Sequence, residues 1–180
     1  MKWIDAVVAI ALVVMAVCTV VQTMRAPSMK VSEWREPDSP GAAEYQQRLV
    51  RIERAKQEQC LALNVYHEAR GEPEAGKRAV AEVTLARVAE RSTSICREVY
   101  RPAQFSWTAT PTRAHGPAWR DAQRVAAAVL FDEMRGACCE HAKGATYYHA
   151  NSVRPGWART MERVATIGNH HFYRRARWTS

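Results

Sequence analysis

Residues 60–83 read CLALNVYHEARGEPEAGKRAVAEV, and the sequence predicts that one helix ends and the next begins within them. Its first ten residues are mostly apolar and favour a helix, which glycine and proline then end. Leu61, Val65 and Glu68 are separated by four and then three positions, so they share one face of that helix. Because the two aliphatic residues should point at the core, the sequence predicts that the carboxyl group of Glu68 lies at or beside the core.

This position has a chemical consequence for Glu68. Burial raises the pKa of a carboxyl group, and so does the end of a helix, which disfavours negative charge. A carboxyl that stays protonated near neutral pH can act as a general acid. The alternative is a structural glutamate paired with Arg70 or a lysine. Glu72 and Glu74 flank the start of the next helix, where we expect lowered pKa values and a capping role for Glu72.

The rest of the chain predicts a mainly helical domain. Residues 74–91 carry small and aliphatic side chains on two opposite faces, which favours a central buried helix, and residues 117–135 are also helical. Residues 42–59 are highly charged and predict a solvated helix. Segments 145–149 and 163–173 are rich in aromatic and β-branched residues and predict short strands. The predicted fold class is α+β, predominantly α-helical, with a small β-sheet near the C-terminal end.

The N-terminal segment is strongly apolar. Residues 6–21 read AVVAIALVVMAVCTVV, and with Trp3, Ile4 and Met24 the segment reaches the length of a membrane-spanning helix. We predict an uncleaved signal anchor over residues 1–24, with membrane contact through residues 3–24, and a polar linker with the solvated helix over 25–59. A cleaved signal peptide is the alternative. The flanking charges do not choose an orientation.

Charge restricts the partners. The chain has 180 residues and a formal net charge of +8, which favours an acidic partner or surface. Nucleic acid and an anionic cell envelope both fit that charge. Because the arginines are scattered and the sequence contains no nucleic-acid-binding motif, we predict no nucleic acid partner.

Four motifs together resemble a known family. Residues 60–83, QFSW at 104–107, GATYYHANSVRPGW at 144–157 and IGNHHFYR at 167–174 are similar to the cell-wall hydrolase family of the SleB type. That family includes spore-cortex-lytic enzymes, bacterial envelope hydrolases and phage endolysins. The resemblance covers residues 60–174 and implies a lysozyme-like fold and cleavage of the glycan strands of peptidoglycan. It places the family's catalytic acid on Glu68.

The chain departs from the family pattern at two places. Leu85-Ala86-Arg87-Val88 stands where relatives usually have a Leu-Asn-Arg-Val run, and Ala103 and Ala109 occupy regions where many relatives carry cysteines. Neither departure touches Glu68. We therefore predict a catalytic domain over residues 60–180.

A second catalytic carboxylate is hard to find. Glycosidases usually use two carboxyl groups, but the other acids of this domain fall at helical positions that we expect to be solvated: Glu82, Glu90, Asp121, Asp132 and Glu133. A single carboxyl group favours a lytic transglycosylase, as the resemblance also implies. Simple hydrolysis stays open if water enters the site.

Aromatic and polar residues of the later motifs suit sugar binding. Flat ring faces pack on the CH groups of a pyranose, and nearby polar atoms bond its hydroxyls. We predict a substrate-binding set of eight residues: Gln104, Ser106, Trp107, Tyr147, Tyr148, His149, Asn169 and Tyr173. Several of these rings could instead fill the core. Tyr148 and His149 are adjacent in a strand, so they cannot both be buried on one face.

Histidines and cysteines raise the question of a metal. The sequence has no HExxH pattern, and two of its cysteines are adjacent rather than spaced as CxxC. We therefore predict no metal and no cofactor. In an oxidising compartment Cys60 and Cys96 could form a disulfide, whereas Cys138 and Cys139 should not easily bond each other. Cys18 lies in the apolar segment. It serves either as a small apolar residue or, if the anchor leaves the bilayer as the resemblance allows, in a thiol switch.

The motifs and the apolar segment together predict both the activity of the protein and its location. We predict a peptidoglycan-cleaving enzyme that spans the inner (cytoplasmic) membrane once, with its catalytic domain facing the periplasm or cell wall. Release of the enzyme from the membrane is an alternative to permanent anchoring. Its small size favours a phage endolysin for host lysis. The alternatives are a cellular enzyme of wall remodelling and a noncatalytic, membrane-anchored peptidoglycan-binding module.

Overall fold

A computed structural model describes residues 40–176, and the fold is given for those residues. The chain divides into two compact units, residues 1–46 and 47–180. In the first unit the beginning of one long helix is described. The predicted anchor, residues 1–24, and Cys18 within it lie outside the described residues. No helix within residues 40–176 is both long and apolar enough to span a bilayer.

Helix α1, Pro40–Ala69, has 30 residues and joins two segments that were predicted as separate elements. The reason is local, because residues 42–69 contain no glycine or proline that would interrupt a helix. Side chains over 41–56 are almost all exposed, as predicted, and burial becomes general from Cys60 onward. The apolar residues before Glu68 are thus the last three turns of a much longer helix.

Helix α2, Glu74–Arg91, is the central element, as its two apolar faces predicted. Ala81 and Leu85 pack in a cluster with Leu61 of α1 and with residues of the helix Gly116–Met134. Val80 and Val83 pack in a second cluster with Phe172 of the sheet. The short helix α3 covers Ile95–Val99, and α4 covers Gly116–Met134, close to its predicted bounds.

Three antiparallel strands form the sheet. Strand β1 is Tyr147–Ala150, β2 is Met161–Ile167 and β3 is His170–Arg175, in the order β1-β3-β2. The prediction of one strand over 163–173 is wrong. Gly168 and Asn169 form a two-residue turn there, with Gly168 at a φ of +54°, so the segment folds into a hairpin.

Two disulfides join the four cysteines of the described part. The predicted pair Cys60–Cys96 is present, with its Cα atoms 5.2 Å apart, and it ties α1 to α3. The expectation that Cys138 and Cys139 do not bond each other is wrong, because their sulfur atoms are joined. Cys139 has a left-handed backbone conformation, with a φ of +81°, and the sharp turn brings the adjacent side chains together.

Candidate active site

Glu68 lies in the last full turn of α1, where the sequence placed it. Leu61 and Val65 on the same face are completely buried, and Glu68 itself is half-buried. The helix ends directly afterwards, because Gly71 takes a φ of +92° and the Glu72 N–H donates to the Ala69 carbonyl at 3.0 Å. A carboxyl group is thereby held at the carbonyl end of a helix, beside the core.

One hydrogen bond orients the Glu68 carboxyl. The hydroxyl of Tyr148, in β1, donates to Oε2 of Glu68 at 3.0 Å. Burial raises the pKa of Glu68 above its ordinary value, while the bond from Tyr148 and the charge of Arg87 offset part of that rise. Within residues 40–176 Glu68 forms no ion pair. It is therefore not a structural glutamate paired with Arg70 or a lysine.

The guanidinium of Arg87 packs against the ring of Tyr148. Its side chain comes from α2 and is nearly buried, at 7 % exposure. The guanidinium lies 5.7 Å from the ring centres of both Tyr148 and Phe105, and its Nε donates to the Thr146 carbonyl at 2.6 Å. Sequence reasoning did not single out Arg87 as a site residue. The available signal was an arginine four positions after Val83, on an otherwise apolar helix face.

Two other carboxyl groups are buried, and both are engaged in structural bonds. Glu82 was expected to be solvated, which is wrong: it is 2 % exposed, because the loop after α4 covers it. Its oxygens bond Nδ1 of His141 at 2.8 Å and the backbone N–H of Ala142 at 2.7 Å. Glu98 is fully buried and forms ion pairs with Arg91 and Arg101. Neither is left available as a nucleophile or base.

Glu72 has a different role from the predicted cap. Its carboxylate accepts hydrogen bonds from the backbone N–H and side-chain amide of Asn169, at 2.8 and 3.0 Å. Pro73 is the residue that precedes α2, and no side chain caps that helix. Glu72 therefore holds the β2–β3 turn against the start of α2. The pKa of Glu74 is lowered, as expected, chiefly because Arg124 donates hydrogen bonds to it.

The FSW motif lies beside the catalytic helix. Trp107 stacks on His67, the neighbour of Glu68, with ring centres 4.3 Å apart, and Phe105 is buried in the helical core. Ser106 is exposed, and Gln104 accepts a hydrogen bond from Arg101. Trp107 and Tyr148 are the two predicted substrate-binding residues whose contacts bring them to Glu68 or its neighbour.

Three predicted sugar-binding residues face the other side of the sheet. Side chains alternate along a strand, so Tyr147 and His149 point away from the side on which Tyr148 meets Glu68. Both rings lie next to Trp157, at 5.5 and 5.6 Å, and Tyr173 stacks on His149 at 5.2 Å. The predicted set thus divides between two faces. Trp157, within a quoted motif, was not singled out.

The described residues offer no metal site. Among residues 40–176 no group of three or more histidine, cysteine, aspartate or glutamate side chains is arranged to hold a metal ion. His67, the histidine next to Glu68 in the sequence, makes other contacts. Its ring stacks on Trp107, and its burial and the charge of Arg70 lower its pKa.

Comparison with known proteins gives consistent matches. The sequence model of a family described as cell wall hydrolase matches residues 71–173, beginning three positions after Glu68. The spore cortex-lytic enzyme of Halalkalibacterium halodurans is 30% identical over 117 residues, which is 63% of this chain and 33% of that enzyme. The chain thus spans about a third of the length of that relative.

Two solved structures are similar in fold. The catalytic domain of Bacillus cereus SleB superposes with a TM-score of 0.52 and 27% identity, covering 66% of this chain and 89% of that one. The catalytic domain of the germination-specific lytic transglycosylase SleB from Bacillus anthracis gives the same score and identity, over 66% and 93%. The helical fold with its three-stranded sheet agrees with the predicted class, and these matches agree with the resemblance seen in the sequence.

Proposed function

Because this chain belongs to the cell wall hydrolase family, we propose that it cleaves the glycan strands of peptidoglycan with Glu68 as its catalytic acid. One observation carries the proposal: Glu68 is half-buried, forms no ion pair within residues 40–176, and has a raised pKa. A partly buried acid that forms no ion pair costs stability, and such groups occur preferentially at sites that serve chemistry.

The proposed reaction is that of a lytic transglycosylase, the activity named for the similar Bacillus anthracis domain. Protonated Glu68 donates its proton to the glycosidic oxygen as the bond from that oxygen to C1 of the muramoyl residue breaks. The resulting carboxylate accepts the proton of the muramoyl 6-hydroxyl, and O6 bonds to C1. The products are a 1,6-anhydro end and a free hydroxyl, and Glu68 regains its proton.

The surroundings of Glu68 suit these two roles. Tyr148 holds Oε2, and no other described residue donates a hydrogen bond to the carboxyl, so Oε1 is available for the substrate. Burial favours the protonated state before cleavage. Arg87 and Tyr148 together stabilise the carboxylate that forms afterwards.

A mechanism with one carboxyl group also agrees with the positions of the other acids. A retaining glycosidase needs a second carboxyl about 5 Å from the first, and an inverting enzyme one about 6.5–9.5 Å away that is free to activate water. Glu72, Glu82 and Glu98 each bond other protein groups. Among the described residues no second carboxyl contributes to the pKa of Glu68.

Mass spectrometry of the fragments released from purified sacculi tests the reaction. Transglycosylation leaves 1,6-anhydro ends, which are lighter by one water than the reducing ends left by hydrolysis. We expect anhydro ends. Reducing ends alone would show that water, rather than the 6-hydroxyl, completes the reaction. A protein that binds sacculi without releasing fragments would be the noncatalytic module.

The membrane location is a second part of the proposal. The apolar segment over residues 3–24 supports a single-pass anchor in the inner membrane, with the catalytic domain on the periplasmic or cell-wall side, where peptidoglycan lies. Alkaline phosphatase fused after residue 180 should then be active in cells. An inactive fusion, together with an active cytoplasmic reporter at the same site, would reverse this topology.

We further propose that the enzyme serves host lysis as a phage endolysin, because an enzyme held at the membrane by the weakly apolar segment 6–21 would lie beside the peptidoglycan that lysis must breach. Induced expression in a Gram-negative host should cause abrupt lysis, and Glu68→Gln should not. Slow growth with altered wall composition, without lysis, would instead indicate a cellular remodelling enzyme.

A further inference from the structure

A concave site lies on the face of the sheet opposite to Glu68. The pocket has a volume of about 420 Å³. Strands β1, β2 and β3 form its floor, and the segment between β1 and β2, including the 3-10 helix Gly156–Thr160, forms its wall. The catalytic chemistry described above uses none of its residues.

Three arginines give the pocket its charge. Arg154 comes from the loop after β1, Arg159 from the 3-10 helix and Arg163 from β2, so separate segments converge on one cavity. The lining side chains among the described residues include no aspartate or glutamate. Within residues 40–176 none of the three guanidinium groups forms an ion pair. Three uncompensated cations around a concave surface attract an anion.

Fixed hydrogen-bonding groups form the floor. His149 Nδ1 lies 2.8 Å from the Ala150 carbonyl and therefore carries the proton, so Nε2 accepts from the Tyr173 hydroxyl at 3.1 Å. His171 lies beside His149, at 5.4 Å between ring centres. Burial and the charge of Arg163 lower the pKa of His171. These hydrogen bonds orient the His149 and Tyr173 side chains, and the surroundings of His171 disfavour further positive charge.

Small apolar groups complete the wall. Val153, Pro155 and Ala158 line the same cavity as the arginines. A bare phosphate would make no favourable contact with these apolar groups. A short peptide with methyl side chains and carboxylates would contact both the apolar groups and the arginines. The planar fork of arginine also matches a carboxylate through two parallel hydrogen bonds.

We propose that this pocket binds the carboxylate groups of the peptide stems of peptidoglycan through Arg154, Arg159 and Arg163. The inference rests on the proposed function for its choice of polymer. Because the pocket and Glu68 lie on opposite faces of the sheet, a stem bound there leaves the catalytic side free. The pocket then holds the enzyme on its insoluble substrate while the glycan is cleaved.

Calorimetric titration of the full chain in detergent tests the site directly. The probe is the stem tetrapeptide L-alanyl-γ-D-glutamyl-meso-diaminopimelyl-D-alanine, with its fully amidated form for comparison. The triple variant Arg154→Gln, Arg159→Gln, Arg163→Gln should bind the tetrapeptide at least about tenfold more weakly than the unaltered chain. The matched control Arg48→Gln, Arg51→Gln, Arg97→Gln removes the same charge from exposed positions elsewhere and should bind the tetrapeptide normally.

The amidated peptide keeps the test decisive even where the triple variant fails to fold. The unaltered chain should bind it at least about tenfold more weakly than the acid form. Equal binding of the two forms, or normal binding by a folded triple variant, would overturn the proposal. Tighter binding of inorganic phosphate than of the tetrapeptide would assign the pocket to a phosphate polymer instead.

A cleavage assay separates this inference from the proposed function. The triple variant should lose more rate on intact sacculi than on sacculi whose stems an amidase has removed. An equal loss on both would contradict a stem-binding role. If the unaltered chain cleaves neither, the proposed function fails, while the calorimetric result still decides whether the pocket binds stems.

Discussion

The hydroxyl of Tyr148 donates a hydrogen bond to Oε2 of Glu68 at 3.0 Å, across 80 positions of sequence. This contact joins the end of α1 to the first strand of the sheet. Burial of the phenol, together with the negative charge of Glu68, raises the pKa of Tyr148 well above its ordinary value, so it stays a donor at any physiological pH. The same bond lowers the pKa of Glu68, which burial raises.

Tyr148→Phe should move the pH dependence of the rate. Glu68 must be protonated to act, so kcat is constant below the pKa of Glu68 and falls as pH rises through it. Without the phenol this pKa rises further, and the falling limb moves to higher pH. Rates on solubilised glycan strands across pH measure the shift. Tyr45→Phe, at an exposed position, is the control, and a limb that moves to lower pH would contradict the assignment.

Glu68→Gln should change the dependence of stability on pH. The folded pKa of Glu68 is raised, so its contribution to stability is fully present below the ordinary value of 4.5 and is lost as pH rises through the folded pKa. Glutamine does not titrate. The variant should therefore gain in thermal midpoint relative to the unaltered chain over the interval in which pH rises from 4.5 through the folded pKa. A relative loss over this interval would show that the carboxylate is stabilised by the fold.

Removing the Cys60–Cys96 disulfide should destabilise the domain. The bridge closes a loop between residues 36 positions apart and joins α1 to α3. Cys60→Ala with Cys96→Ala should lower the free energy of unfolding by about 4 kcal/mol, the chain-entropy effect of a loop of this length. Denaturant titration measures it. An unchanged midpoint would mean that packing alone holds the two helices together.

Gly168→Ala should cost more free energy of unfolding than an alanine in the left-handed backbone conformation costs by itself. A Cβ atom there would collide with the Glu72 carboxylate, which bonds Asn169. Gly136 has a similar φ of +69° and open space around it, so Gly136→Ala should cost about 1 kcal/mol. We expect Gly168→Ala to cost at least about 2 kcal/mol more, since the Glu72–Asn169 bonds are lost as well. Equal costs in denaturant titration would remove the structural role of Glu72.

The features that the sequence predicted correctly are local. The spacing of Leu61, Val65 and Glu68 placed the carboxyl beside the core, because helical periodicity depends on neighbouring residues alone. The two-faced pattern of α2 likewise indicated a central helix. The Gly168–Asn169 dipeptide is a known hairpin signal, so the division of 163–173 into two strands could also have been predicted.

The features that were missed depend on contacts between distant segments. Glu82 sits on a helix whose pattern is compatible with exposure, and it is buried because a loop 60 positions later returns to bond it. Glu72 bonds Asn169, 97 positions away. No local pattern contains these pairings. The division of Tyr147, His149 and Tyr173 from Tyr148 follows from strand alternation, but which face meets Glu68 depends on the packing of β1 on α1.

The rate at which a folded Glu68→Gln variant clears purified sacculi, measured as loss of turbidity, tests directly whether Glu68 is the catalytic acid. Glu133→Gln, at an exposed position of α4, removes the same charge and is the matched control. Loss of a general acid or base typically costs about 10²- to 10⁴-fold in rate. We predict a loss of at least about a hundredfold for Glu68→Gln and full activity for Glu133→Gln. Substantial clearing by a folded Glu68→Gln protein would show that Glu68 is not the catalytic acid.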